Sequence, residues 1–425
     1  MSDSVDCAEP GCDNSILAST AQETGGICMA CVNRRKAAER RAFIEANRVD
    51  VDRFEGVTDP VEILKILEEP PKFDPLIRYT PYEMEGWQVY AGLNSAQLES
   101  MVDYAIERAG DNPRSAETIA LALASFTEID LTRLQQFFLG RESWPPEIYR
   151  SSSREIRDRW LRAIEVDTQR ETLPLNLLLL TLAWIGDETV ARRFHEWRNN
   201  PPEWTSQLYI EPFQYAPSGG WELTESGQRR ELTSTQCYPL VPSVVDSTSP
   251  VVVVKDQESE CPWCQQKLVS LLTVDLQDPL FEEWRGDRPQ LEILCCHVCA
   301  CYGPVFCDLA ADGTARWSVH NQRPSYLPED ASEWGRLPPQ ALKVVPERRS
   351  PYFAIDWTSG APLSQIGGMP GWVQDAEYPG CPGCKKTMSF LAQISNEEIE
   401  EHSEGVYYLF LCNECGIGAT NYQQT

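Results

Sequence analysis

The spacing of hydrophobic and polar positions changes character along the chain, and each change marks a different kind of structure. From residue 92 to about 200, apolar residues recur every three or four positions, the signature of helices that bury one face. Asn94 stands where it caps a helix, with Gln97 placed to complete the cap. Leu98, Met101, Val102, Ala105, Ile106 and Ala109 then fall on one side. Ser115 opens a second predicted helix, with Ile119, Ala122 and Phe126 on one face. Further helices are predicted over 131–139, 154–164, 175–185 and 187–198. The last has Asp187 as its cap and Val190, Ala191, Phe194 and Trp197 inward. Upstream, 34–48 reads as a helix with Arg34, Arg35, Lys36, Arg40 and Arg41. Residues 50–90 carry Pro60, Pro70, Pro71, Pro75 and Pro81, which predict one short helix over 61–67 and then an extended connector. Past residue 200 the helical period stops. Proline, tryptophan and β-branched residues rise, the four valines at 251–254 predict a strand, and the remainder reads as β-rich.

These shifts predict a multidomain α+β protein. Its parts are an N-terminal zinc-knuckle module over 1–35, a helix with a proline-rich connector over 36–90, a helical domain over 91–200, and a β-rich domain over 201–425. Within the helical part, residues 179–198 resemble a HEAT-type repeat: a helix, a Gly186-Asp187 turn and a second amphipathic helix. Such arrays present extended surfaces to protein partners. A generic helical bundle accounts for the same pattern.

Composition narrows the possibilities. The chain has 425 residues, enough for two or three domains, and 42% hydrophobic content supports ordinary cores. The apolar run 173–185 contains Pro174 and Asn176 and is too short to span a bilayer. The sequence start shows neither the basic nor the apolar region of a secretory signal. Its cysteines are therefore expected to be reduced in the cytoplasm. The formal net charge of −27 repels nucleic-acid phosphates and matches a basic protein partner, or else serves only solubility. The basic stretch 34–48 is the one exception. It reads as a solvated helix leaving a zinc knuckle, or as a contact for RNA or an acidic surface.

The candidate chemistry lies in the cysteines. Cys261 and Cys264 pair with Cys296 and Cys299, and Cys381 and Cys384 pair with Cys412 and Cys415. The Cys-x-x-Cys turn aims two sulfurs at one ion, and two such turns make a four-sulfur cage for Zn²⁺. A cage of four protein ligands is closed to water, hence structural rather than catalytic. The two sets form an internal repeat: a knuckle, two polar residues and an apolar strand, then a strand running into a second knuckle. Antiparallel pairing of the two strands would bring the knuckles together, giving two zinc-ribbon-like repeats in a pseudo-symmetric β-domain. Aligning the copies places Cys295 opposite Leu411 and Cys301 opposite Ile417, so both read as packing residues rather than ligands. Cys237 and Cys307 have no partner pattern and read as buried thiols. His297, next to a knuckle, is an alternative ligand. A third set, Cys7, Cys12, Cys28 and Cys31, lies in a segment too poor in apolar residues to build a core, where zinc would supply the folding energy. Its alternative is a disordered tail. Three structural Zn²⁺ ions per chain are expected.

The segment 363–394 contains Ile366, Gly367, Gly368, Pro370, Trp372 and Gln374, then Cys381, Cys384 and Gln393. It resembles the bacterial YwqG-like family of unknown function. It also resembles the programmed cell death protein 2 family, in which a Gly-Gly-x-Pro-x-Trp segment precedes a Cys-x-x-Cys knuckle. The second resemblance implies a dedicated chaperone that captures a newly made, basic ribosomal protein. The first implies no agreed activity. A local reading of the same residues is a stiff turn anchored by Trp372.

These features point to a non-enzymatic, zinc-binding interaction protein, a chaperone or adaptor acting on a basic protein. A toxin-immunity protein is an alternative of the same kind. A cysteine-dependent enzyme is another, because Cys237 or Cys307 can meet a distant histidine in space. His195, His297, His320 and His402 show no paired metal spacing, and no phosphate loop or nucleophile elbow is present. Nucleic acid is disfavoured as a partner of the ribbons by their acidic flanks, and a membrane is not expected. No catalytic residue and no organic cofactor site is assigned.

Overall fold

The computed structural model describes residues 4–166, 172–242, 249–327, 335–339 and 342–424. It is mixed helix and sheet, in two compact units, Met1–Met84 and Glu85–Thr425.

In the first unit a small hairpin, β1 (Ser4–Asp6) with β2 (Ser15–Leu17), leads into α1 (Ala18–Thr24) and α2 (Met29–Asn47). The helix α2 is longer than the basic stretch alone predicts. It begins at the second cysteine pair, where the Cys28 sulfur accepts the Cys31 N–H and acts as the N-cap. The supposed connector carries more order than its prolines suggest. β3 (Val49–Val51) pairs in parallel with β4 (Ile77–Tyr79), and Arg78 clamps Asp50 beside the ladder. Between them α3 (Pro60–Glu68) starts on the Asp59 cap, with proline at its first position, where the absent N–H costs nothing. Arg53 closes its other end by donating to the carbonyls of Ile66 and Glu69.

The second unit opens with α4 (Gly86–Ala91), α5 (Ser95–Asp111), α6 (Pro113–Phe126), α7 (Thr132–Phe138), α8 (Arg154–Val166), α9 (Thr172–Ile185) and α10 (Glu188–Asn199). Asn94 and Gln97 form the expected reciprocal cap on α5. α6 starts earlier than Ser115: Asn112 caps it by accepting the Ser115 N–H, and Pro113 sits inside the first turn. Asp187 accepts the N–H groups of Thr189 and Val190 at the start of α10, whose Val190, Ala191, Phe194 and Trp197 are buried. α9 is apolar on all sides, as a helix enclosed by others must be. The polar atoms around it are matched: Trp144 donates to Thr181, Tyr215 to Asn176 and Trp221 to the Ala183 carbonyl. Among the described residues, no helix is long and apolar enough to cross a membrane.

A short hairpin, β5 (Trp221–Leu223) with β6 (Arg229–Glu231), passes the chain to two sheets. Their strands are β7 (Ser234–Pro242), β8 (Val251–Glu260), β9 (Lys267–Asp275), β10 (Gln290–Cys295), β11 (Val305–Leu309), β12 (Ala315–Trp317), β13 (Leu342–Val344), β14 (Gln365–Gly368), β15 (Ser389–Ser395), β16 (Val406–Cys412) and β17 (Ile417–Gln423). The smaller sheet has the order β10-β9-β8. The larger has the order β12-β11-β17-β16-β15-β14-β7-β13. β10 packs on β11 and β17, and a continuous core of Leu271, Leu272, Ile293, Val305, Ile394 and Leu409 fills the space between the sheets. A second core, around Phe390, Tyr408 and Phe410, includes Ala354 and Leu363.

The sequence repeat thus folds twice, once in each sheet. Each copy is a hairpin: β9 with β10, and β15 with β16. The copies part after the second knuckle. In the second, β17 turns straight back onto β16. In the first, the chain makes a short 3₁₀ turn, Cys299–Tyr302, and β11 crosses to pair with β17 of the other copy.

The Gly-Gly-x-Pro-x-Trp segment builds the end of β14 and the loop that follows. Gly367 and Gly368 both have positive φ, and a Cβ on Gly367 would lie 2.1 Å from the Gln236 carbonyl oxygen. Buried glutamines fix the loop: Gln365 donates to the carbonyls of Gly367 and Met369, and Gln393 accepts the Gly371 N–H. Trp372 stacks on Tyr408 at 4.5 Å between centroids.

Candidate metal centres

Twelve of the sixteen cysteines gather into three groups of four, with the sulfurs of each group within 4.8 Å of one another. The groups are Cys7, Cys12, Cys28, Cys31; Cys261, Cys264, Cys296, Cys299; and Cys381, Cys384, Cys412, Cys415. All sixteen thiols are free. The closest sulfur pairs lie at 3.7 Å (Cys12–Cys28), 3.7 Å (Cys261–Cys299), 3.4 Å (Cys264–Cys296) and 3.7 Å (Cys384–Cys412). Four sulfurs at ~2.3 Å from a tetrahedral ion stand about 3.8 Å apart, close to this spacing, whereas a disulfide requires ~2.05 Å.

The backbone explains why the second and third groups form. In each first knuckle the leading cysteine donates its N–H to the residue five positions on: Cys261 to the Gln266 carbonyl and Cys381 to the Lys386 carbonyl, both at 2.8 Å. Its own carbonyl accepts from Gln265 or Lys385 at 2.9 Å. Those two residues share a left-handed backbone, φ 63° and 65°. The hairpin strands then carry the second knuckle alongside. In the third group a Cβ at Gly383 would lie 3.0 Å from the Cys415 sulfur, so the position held by Trp263 in the first copy is glycine in the second. In the N-terminal group the tight turns come from Gly11, Gly25 and Gly26, all at positive φ, and the Cys7 sulfur accepts the Cys28 N–H at 3.2 Å.

The electrostatics of the groups favour a cation. Asn14 and the Cys31 N–H hydrogen-bond the Cys28 sulfur and bring its thiol down to about 6, while burial pushes Cys31 up to about 12. In the second group hydrogen bonds from Cys296 and Cys299 pull Cys261 far down. The negative sulfur that results, with burial, pushes Cys296 and Cys299 up. In the third, the Lys386 N–H lowers Cys384 to about 7, and burial raises Cys412 to about 12. One sulfur in each set therefore ionises readily at its neighbours' expense. Four can ionise together only around a positive ion, so the donor sets fit a thiophilic metal.

The remaining cysteines are placed otherwise. Cys295 is fully buried and pairs with Val269 in the sheet. Cys301 donates to the His297 carbonyl, and burial raises its thiol to about 12. Cys307 is buried in β11 and likewise raised to about 12. Cys237 donates to Gln365 within reach of Arg349, and burial raises it. His297 turns its ring to the Gly335 carbonyl at 2.9 Å and stands outside the sulfur group. The structure adds groups that the cysteine spacing does not announce. Asn14 donates to Cys28, Arg34 donates to Cys31, and Lys386 spans to Glu414 beside the third group. The first and second groups are largely enclosed, whereas Cys415 of the third is exposed.

Comparison with known proteins gives one decisive likeness. The chain is 38% identical to a Salmonella typhimurium (strain LT2) protein described as "Uncharacterized protein YpfL", over 432 aligned residues that take in the whole of both. The chain belongs to the YpfL family. No family model matches it, and no solved structure does.

Proposed function

We propose that the three sulfur groups each hold one Zn²⁺ as a structural ion, and that the protein is a non-enzymatic binding protein whose partner is a basic protein. The observation that supports this reading is the gathering of four cysteine sulfurs within 4.8 Å of one another in each group; an ion bound by all four would have no position left for water or substrate. The ions would supply folding energy where the chain has little core of its own, above all in the N-terminal module. In the β-rich part they would hold two zinc-ribbon-like hairpins together. Reduced thiols on zinc suit the cytoplasm.

The net charge of −27 supports a basic partner, since complementary charge speeds encounter and selects against acidic competitors. The helices α5 to α10 are read as a HEAT-like array offering a binding surface. The likeness of 363–394 to the programmed cell death protein 2 family supports a chaperone-like role toward a newly made client. The test is affinity capture of the tagged protein from its own cells at moderate salt, with mass spectrometry of what co-purifies. A stoichiometric basic protein that is released at higher salt supports the reading. Repeated capture of no protein, or of acidic proteins only, overturns it.

A further inference from the structure

The helix α2 has no packing face. Of its nineteen residues, Met29–Asn47, only Cys31 is buried. Met29 and Phe43 are 52% and 59% exposed. An isolated helix of this length is only marginally stable in water, and most helices in proteins persist by burying an apolar stripe. α2 is fixed instead at its start, by the Cys28 cap and the four-cysteine group, and then runs on for about 28 Å.

Charge is what it presents. Arg34, Arg35, Lys36, Arg40 and Arg41 stand against Glu39 and Glu45, in a chain where acidic residues outnumber basic ones 64 to 37. Two of the five cations are used locally: Arg35 pairs with Glu9 and Arg34 donates to the Cys31 sulfur. Among the described residues no ion pair engages Lys36, Arg40 or Arg41. Lys36 and Arg40 are one helical turn apart, where like charges repel. Arg34 and Arg41 are two turns apart on one side of the helix.

The chemistry of the surface selects the occupant. Docking into a protein groove needs apolar anchors at i, i+3, i+4 and i+7, and lying in a membrane interface needs an apolar face. α2 has neither. What remains is a slender rod that carries Lys36 and Arg40 on one side and Arg41 about a quarter turn or more around from them, and this suits a polyanion bound by its charge. We propose that α2, held by the N-terminal sulfur group, binds the phosphodiester backbone of nucleic acid through Lys36, Arg40 and Arg41, without reading base sequence. The net acidity of the chain weighs against this only in part, because the effect of an exposed charge falls off over about 8 Å at physiological salt.

The experiment is fluorescence anisotropy of the full-length, zinc-loaded protein with labelled single-stranded RNA and with labelled duplex DNA of arbitrary sequence. Three phosphate contacts give a slope of log K against log salt near −2.7 on duplex. That is a loss of about 40-fold between 50 and 200 mM. Replacing Lys36→Glu, Arg40→Glu and Arg41→Glu together is expected to reduce affinity at least tenfold, with metal content and helical circular dichroism unchanged. Replacing Arg316→Glu and Arg323→Glu, in the second unit, is expected to leave binding intact. Preference for RNA or for DNA would tell which source of phosphodiester is used, and either supports the proposal. It is overturned if neither nucleic acid binds at 50 mM salt, if the triple variant binds as well as the parent, or if anionic phosphatidylglycerol vesicles bind through these residues while nucleic acid does not. Should the triple variant lose its helix, Lys36→Gln with Arg40→Gln and Arg41→Gln provides the same test with a smaller loss.

Discussion

Leu271 and Leu391 are the same bulge in two copies of one hairpin. Each is left without a partner where the register shifts, between Ile293 and Leu294 opposite the first and between Leu409 and Phe410 opposite the second. Gln265 and Lys385, at matching places in the knuckles, share a positive φ as well. The duplication therefore extends from the cysteine spacing to the backbone. A non-glycine residue in that conformation costs about 1 kcal/mol. Lys385→Gly is accordingly expected to leave stability unchanged or raise it by up to ~1 kcal/mol, and Lys385→Val to lower it by more than that. Denaturant melts of the metal-loaded variants measure both.

Cys295 and Cys296 are neighbours with different tasks. The Cys296 sulfur lies 3.4 Å from Cys264, while Cys295 fills the core. Cys296→Ser is expected to remove one metal equivalent per chain and to destabilise the β-rich part. Cys295→Ala is expected to keep full metal content and to cost about 1–2 kcal/mol through its small cavity. Metal analysis alongside thermal melting separates the two.

Much of this was legible because short-range chemistry fixes it. Asp187 and the spacing of Val190, Phe194 and Trp197 define α10 almost residue by residue. Cys-x-x-Cys turns followed by strands define the hairpins. Long-range pairing was not legible. Nothing in Val49–Val51 or Ile77–Tyr79 announces a parallel partner across an intervening helix. Nor does the repeat reveal that Val305–Leu309 leaves its own copy to pair with Ile417–Gln423. The apolar period places the start of α6 at Ser115, whereas the helix begins two residues earlier at Pro113, a residue at home in a first turn. Asn14 and Arg34 support the N-terminal sulfurs from positions that carry no motif.

Tyr408 ties the Gly-Gly-x-Pro-x-Trp loop to the sheet. Its hydroxyl donates to the Gly371 carbonyl at 2.6 Å and accepts the Val373 N–H at 3.0 Å. Tyr408→Phe keeps the stacking on Trp372 but leaves both backbone groups without this partner. It is expected to cost about 1–3 kcal/mol, measured by chemical unfolding, with metal content unchanged.

Burial pushes the Glu147 carboxyl from its ordinary 4.5 up to about 7, and the nearby Asp356 carboxylate adds to the shift. A raised carboxyl favours the folded state below pH 4.5, where both states are protonated. That advantage is lost as pH rises through 7. Glu147→Gln is therefore expected to raise stability at pH 8 by about 1–3 kcal/mol relative to its effect at pH 5. Equal effects at the two pH values would show that the half-buried Glu147 carboxyl is not raised in this way.

The account rests on three closed four-sulfur metal sites, and native mass spectrometry of the freshly purified, reduced protein tests this most directly. The expected result is a mass increment of three Zn²⁺ per chain, falling to two in Cys381→Ser. Fewer than two ions in the parent, or three ions retained in that variant, would contradict it.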